Sequence, residues 1–417
     1  KILTKIRYEI LVNLFKKKGE FLNKNSKFIF ALSENCFFNE YIFITTSKEK
    51  NFLIKLKDLI KKSKEILELE IGILGSYIPI GSIESIKKKL ERFESKNSEF
   101  NSLYKVQIIE VEEEKKISYS IKSLARISND ISDRVQKQYE ENPYPRWRYI
   151  NKRNFMHSVD VINNQIRPNR IKFDDKLNRP NILIAGCGTG KHIFLSANYA
   201  DSNILAIDIS KPSIAYAKRK SNELGVSNLK FLHSDILDLK KLKKKFDIIE
   251  CVGVIHHMKN PLDGLDVLYN LLEPHGYLKL GLYSDLARQD VIKIKEIVKK
   301  NKIKITKDEI RNFREVILNK KDEKLLNWGD FYSMSSLRDL IFHVQEHRYN
   351  IPQISKILSK YNLEFLGFND LDIKIRYSKI YKEDKKNTNL NNWNEFEMNN
   401  KDLFRGMYNF WVKKKIN

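Results

Sequence analysis

Cysteine is scarce in this chain. Cys36, Cys187 and Cys251 are three among 417 residues, far apart and odd in number. That excludes a disulfide scaffold and points to a reducing, cytoplasmic setting. Long apolar runs are missing too. The nearest to one, Ile71–Ile83, is short and interrupted by Gly72, Gly75, Pro79 and Gly81, well below the roughly 20 residues of a membrane span. No signal peptide opens the chain. Residue 1 is Lys, not Met, so the natural protein is expected to begin further upstream. Nor are aromatic residues interleaved with basic ones, as a single-strand nucleic-acid platform would require. Lysine runs such as Lys16–Lys18, Lys87–Lys89, Lys243–Lys245 and Lys413–Lys415 are scattered. The net charge of +24 therefore reads as a solvated basic surface, and a nucleic-acid partner is not expected.

What is present is enough to build a packed core. Hydrophobic residues make up 41% and charged residues 31%, and the length suggests two domains, or one large domain with a substantial appendage. Residues 1–124 read as a mostly helical region, with Ile6, Ile10, Leu11, Leu14 and Phe15 on one stripe. A helix is expected from Arg126 to Tyr139, closed by the stiff turn Asn142-Pro143-Tyr144-Pro145. Beyond it, strands and helices alternate. Strands are expected at Asn181–Ala185, Ile204–Ile207, Leu229–Leu232, Phe246–Val252 and Tyr277–Leu282. Ser210 and Pro212 suit one helix start and Pro261 another. Later β-like runs, Leu363–Phe368 and Met407–Val412, would complete the sheet. The expected fold is α/β: a Rossmann-like, doubly wound, mainly parallel seven-stranded sheet with an antiparallel C-terminal strand. It would occupy residues 125–417, with a helical insertion at about 284–360.

The chemistry concentrates at strand ends. Gly186-Cys187-Gly188-Thr189-Gly190 follows the first strand, and glycine is needed where backbone turns sharply or a ligand comes close. The spacing is neither the dinucleotide fingerprint nor a phosphate loop, since His192 follows Gly190-Lys191. Asp208, eighteen residues past Gly190, can accept both hydroxyls of a ribose, with Ile209 beside it. Asp235 can accept from an adenine amino group while Ile236 packs on the ring. Turn glycines with two surface aspartates are the bland alternative, but the ordered trio on successive strand ends outweighs it.

At this point the chain resembles the class I S-adenosylmethionine-dependent methyltransferases. Phe246–Met258 looks like that family's fourth-strand motif and Leu272–Leu278 like its entry into strand five. More narrowly, Gln138–Arg148, Phe342–Arg348, Gly406–Val412 and Cys36–Tyr41 look like a bacterial subgroup often fused to tetratricopeptide repeats. The resemblance implies S-adenosyl-L-methionine as cofactor, held at Gly186, Cys187, Gly188, Gly190, Asp208, Ile209, Asp235, Ile236 and Val252. It places His256 against the methyl group as a general base, and Tyr139 and Tyr144 as a lid. One departure stands out: Ile184 occupies a position where many relatives carry an acid.

Other candidates are weighed on their residues. Arg148, His257, His343, Glu346 and His347 are candidate contacts of the methyl acceptor. His343-Val344-Gln345-Glu346-His347 matches an inverted zinc-protease pattern and would place both histidines on one helical face. No third ligand is evident, and no metal is expected. Glu250, inside the fourth strand, points either to the core or to the cofactor. The aromatic residues between Trp393 and Trp411 read as core. The fourth strand lacks the Asn/Asp-Pro-Pro-aromatic loop, which favours an oxygen, carbon or sulfur acceptor on a small molecule, with a protein acceptor second. A protein partner would dock through the N-terminal region. The rival readings are a nicotinamide-dependent oxidoreductase and a non-catalytic interaction module.

Overall fold

The computed structural model describes residues 2–127, 129–150, 155–172, 174, 177–196, 199–320 and 328–415. The chain divides into two compact units. One comprises Lys1–Lys116, Arg146–Arg148 and Val298–Phe342; the other comprises Ile117–Pro145, Tyr149–Ile297 and His343–Asn417. Among the described residues no helix is long and apolar enough to cross a membrane.

The first unit is helical. Helices Ile2–Phe15, Ser26–Phe38 and Ser47–Lys62 bury apolar stripes that include Leu11, Ile29, Phe30 and Leu56. Thr46 and Glu49 cap the third of these reciprocally, which gives two orphan backbone donors partners. Arg7 is buried among them: its guanidinium donates to the Ile44 carbonyl at 2.7 Å and lies 4.0 Å from the Tyr77 ring.

The second unit is built on a seven-stranded sheet: β1 Asn181–Ala185, β2 Asn203–Asp208, β3 Leu229–His233, β4 Phe246–Val252, β5 Leu272–Leu282, β6 Leu363–Phe368 and β7 Tyr408–Lys414. Its order is β3-β2-β1-β4-β5-β7-β6. The strands from β1 to β5 pair in parallel, and β7 runs antiparallel to both β5 and β6. The order reverses between β1 and β4, the switch point where such sheets bind ligands at the carboxyl edge. As the sequence suggests, Ser210 caps the helix Lys211–Leu224 by accepting from the Ser213 N–H, and Pro261 opens the helix Pro261–Leu271.

Strand alternation sorts the residues onto two faces. Leu183, Ile249, Cys251, Leu278, Leu280 and Phe410 join the core beneath the helices Pro261–Leu271 and Ile351–Lys360. The C-terminal aromatics Trp393, Phe396, Phe404, Tyr408, Phe410 and Trp411 are all buried, as expected of core. On the other face Ile184, Glu250, Lys279 and Trp411 stand in one row across four strands. Glu250 there is fully enclosed. It meets Lys279 at 3.3 Å and His192 at 2.5 Å, and accepts from the Tyr199 hydroxyl. Burial pushes its carboxyl up, but Lys279, His192 and Tyr199 outweigh that and hold it well below the usual carboxylate range.

Two expectations need correction. The segment His343–Arg348 is not helical; the helix Met334–Phe342 ends before it. Its backbone bonds run across rather than along the segment, from the His347 N–H to the His256 carbonyl at 2.7 Å and from the Tyr349 N–H to the Tyr283 carbonyl at 2.9 Å. His343 and His347 therefore share no helical face. The polar connection before β1 holds an additional helix, Ser158–Ile166, whose stripe Val159, Val161, Ile162 and Ile166 is buried. Within the helical insertion, residues 321–327 lie outside the described residues.

Replacing Glu250 by Leu strands Lys279 in the interior. We expect a loss of about 3–5 kcal/mol in urea unfolding, with the double variant Glu250→Leu, Lys279→Met losing clearly less.

Candidate functional site

Gly186, Gly188 and Gly190 all have positive φ, at 82°, 51° and 83°, a region that other residues enter only with strain. The loop is gripped from two sides. The Gly188 N–H donates to the Asp208 carboxylate at 2.8 Å, and the Gly186 and Cys187 N–H groups donate to the Ile207 carbonyl. From the other side, the Tyr144 carbonyl accepts from the Thr189 N–H at 3.2 Å, and the Pro145 carbonyl accepts from the Thr189 hydroxyl. A Cβ at Gly188 would lie 2.7 Å from the Tyr144 carbonyl oxygen. The Pro-rich turn thus packs on the glycine loop through its backbone, and the Tyr139 carbonyl accepts from the Ser210 hydroxyl at 3.0 Å.

Asp208 ends β2 and is 8% exposed. Burial raises its carboxyl from 3.8 to about 6, against the opposing backbone N–H groups of Ser210, Gly188 and Ile209. A carboxylate has about four acceptor positions, so oxygen capacity is left for a ligand hydroxyl. Ile209 is half-buried beside it. Asp235 caps the short turn Ile236–Lys241 through the Leu237 N–H at 2.9 Å, and Ile236 is buried next to it. Val252, half-buried, closes β4. A loop of left-handed glycines, an acid ending β2 and a second acid just past β3 fit an adenosyl group at this edge. Cofactor and site residues of this kind are all contributed by β1, β2, β3 and β4.

Past β4, the turn Ile255–His257 carries His256, which is wholly buried and whose two ring nitrogens make no well-formed hydrogen bond. Its ring stacks on Tyr283 at 3.9 Å. Burial first, then the nearby His257, Arg288 and His343, hold it far below the ordinary imidazole range, while the Gly281 backbone pulls weakly the other way. His257 donates Nδ1–H to the Gln345 carbonyl at 2.7 Å and stacks on His343 at 3.6 Å; burial pushes it down to about 4. His343 accepts from the Gln345 N–H at Nδ1, so in its neutral form Nε2 carries the proton and faces the Tyr139 hydroxyl at 3.2 Å.

Of the remaining candidates, Arg148 stands in the helical unit, and Glu346 and His347 lie on the segment bonded to His256. Arg148 pairs with Glu34 and donates to the Ser102 hydroxyl at 2.8 Å, within the helical unit. Glu346 is enclosed by Arg288 at 3.1 Å and Lys295 at 2.6 Å, with Arg348 also bound to it. His347 meets the Gln345 side chain at 3.0 Å. Residues not singled out from the sequence also stand here. Tyr283 and Arg288 follow β5, and a strand's carboxyl end was the available signal. His192 opens the helix after the loop, and Asn409 brings an unpaired, buried Oδ1 to the start of β7.

Residues 179–332 match a family model described as a methyltransferase domain. Among curated relatives, an uncharacterized protein of Synechococcus sp. is 31% identical over 213 residues, 47% of this chain and 50% of the relative. A tRNA U34 carboxymethyltransferase of Campylobacter curvus is 29% identical over 26% of this chain and 37% of its own. A mitochondrial ubiquinone biosynthesis O-methyltransferase of Schizosaccharomyces pombe is 32% identical over 25% and 38%. A solved structure of PKMT2 from Rickettsia typhi in complex with AdoHcy aligns with a TM-score of 0.48 at 19% identity, covering 63% of this chain and 54% of that one. The chain spans about half or less of the length of the curated relatives it matches. Residues 179–332 are thus similar to a methyltransferase domain.

Gly188→Val should reduce affinity for S-adenosylhomocysteine at least about tenfold in calorimetry, because the loop must leave the Tyr144 carbonyl or abandon its φ. Protonating Asp208 should act with opposite signs on binding and folding. Its raised folded value means the native state takes up a proton between about 6 and 3.8 that the unfolded chain does not, so this group's contribution to stability grows on acidification. Affinity for the same ligand should fall below pH 6, and Asp208→Asn should flatten that fall.

Proposed function

We propose that the chain is an S-adenosylmethionine-dependent methyltransferase acting on an oxygen, carbon or sulfur atom of a small molecule. The observation that carries the reading is the glycine loop clasped to Asp208 at the switch point, with Asp235 on the next strand end. Bound cofactor supplies an activated methyl group on a sulfonium, whose departure leaves a neutral thioether. The protein's task is then placement. Asp208 accepts the ribose hydroxyls, Asp235 the adenine amino group, and Ile209, Ile236 and Val252 enclose the ring. Tyr139 and Tyr144 cover the site from the turn that grips the loop.

His256 is the group assigned to the acceptor's proton. It is neutral, and neither nitrogen makes a well-formed hydrogen bond, so a ring nitrogen can take the proton as the acceptor's lone pair bonds to the methyl carbon. An unpaired buried imidazole also costs about 1–3 kcal/mol, which an arriving hydroxyl or thiol would relieve. His257 and His343 back this ring, and Arg148, Glu346 and His347 act as structural supports of their units. The tetratricopeptide-fused subgroup is supported by the sequence blocks quoted above, and three free, buried cysteines support a cytosolic setting. A protein acceptor, recruited through the N-terminal helices, is the second reading.

Tritium-labelled S-adenosylmethionine incubated with the protein and a cell extract tests this. Label should appear in small molecules; label confined to polypeptide or RNA would replace the acceptor class, and none at all would sink the activity. His256→Ala should lower kcat at least about a hundredfold while leaving S-adenosylhomocysteine affinity within threefold of wild type.

A further inference from the structure

Tyr283 lies between two groups. The His256 ring is 3.9 Å from its centroid, and the Arg288 guanidinium carbon is 3.7 Å from the same centroid. Two groups that close cannot share one face of the ring, so they flank it. Arg288 is 1% exposed and is itself fixed: Nη2 donates to Glu346 at 3.1 Å and Nε reaches the same carboxylate at 3.4 Å. Lys295 and Arg348 complete the set around Glu346. The carboxylate is pushed up by burial, but the cations around it prevail and keep it charged. A bidentate, buried guanidinium is among the most rigid attachments a side chain can have.

We propose that Arg288 is a positioning residue for methyl transfer: clamped by Glu346, it pins Tyr283, and through that ring it holds the His256 imidazole in place. The role in transfer rests on the reading of His256 given above; the control of His256 does not. A protonated His256 would put a second cation on the opposite face of a ring already occupied by Arg288. Facing it are also His257 on its own turn and His343 on the segment after Phe342, both neutral. Arg288 is a permanent positive charge close to the ring, and after burial and His257 it helps hold the imidazole below its ordinary range. The same stack orients an imidazole whose nitrogens make no well-formed hydrogen bond.

The test uses the full chain labelled with ¹³C at the histidine imidazoles, with His256 assigned from His256→Gln. In Arg288→Met the His256 resonance should begin to titrate at a clearly higher pH than in wild type. Arg288→Lys, which keeps the charge, should restore most of that. In the extract assay Arg288→Met should lose at least about tenfold in kcat with S-adenosylhomocysteine affinity unchanged. An unmoved His256 titration overturns the inference, and so does a moved titration with full turnover. If Arg288→Met does not fold, Tyr283→Leu leaves the Arg288–Glu346 pair intact and removes the shared ring; unchanged His256 shifts there overturn it equally. A wild-type protein without turnover would sink the methyltransferase reading, while the titration still decides whether Arg288 controls His256.

Discussion

The clasp on the glycine loop is the constraint from which the rest of the site follows. Three successive left-handed glycines would wander if nothing held them. Here the Asp208 carboxylate and the Ile207 carbonyl hold the loop from β2, and the Tyr144 and Pro145 carbonyls hold it from the preceding turn. Asp208 is thus engaged twice. It organises the loop, and it keeps oxygen capacity for a ligand. Burial at this point raises its proton affinity, so the residue that shapes the loop is also the one most sensitive to acid.

Much of the architecture was legible in the sequence. The strands announce themselves as apolar runs, and the loop and acids mark the carboxyl ends of β1, β2 and β3. The antiparallel seventh strand was readable as well, from an aromatic run following the helical insertion. The less legible parts have two physical causes. In Ser158–Ile166 the interspersed Asp160, Asn163, Asn164 and Gln165 disguise a buried stripe. In His343–Arg348 the four-residue spacing of two histidines suggests a helix, but long-range backbone bonds to His256 and Tyr283 decide the conformation. Local pattern cannot foresee a partner contributed from ninety residues away.

The interior charges were legible only in part. Glu250 invited two readings, core or cofactor, and it stands in the sheet interior with Lys279 as its cross-strand partner. A lysine alternating with leucines in β5 was the signal for that pairing. Two buried polar systems result, one charged and one neutral. Around Glu250, opposite charges meet and cancel beneath the glycine loop's helix. Around His256, three imidazoles crowd together uncharged because burial disfavours their protonated forms. The first system fixes the scaffold, and the second leaves a neutral proton acceptor beside it.

The placement of β7 between β5 and β6 has a bearing on synthesis. During translation β5 and β6 emerge while the strand that joins them is still unmade, so two neighbouring edges stay open until residues 408–414 clear the ribosome. The aromatic cluster of Trp393, Phe404 and Tyr408 closes at that same late moment. Nascent chains stalled before that point would expose unpaired edge strands and a half-built aromatic cluster to holdase chaperones, so the final insertion acts as the latch on the whole sheet.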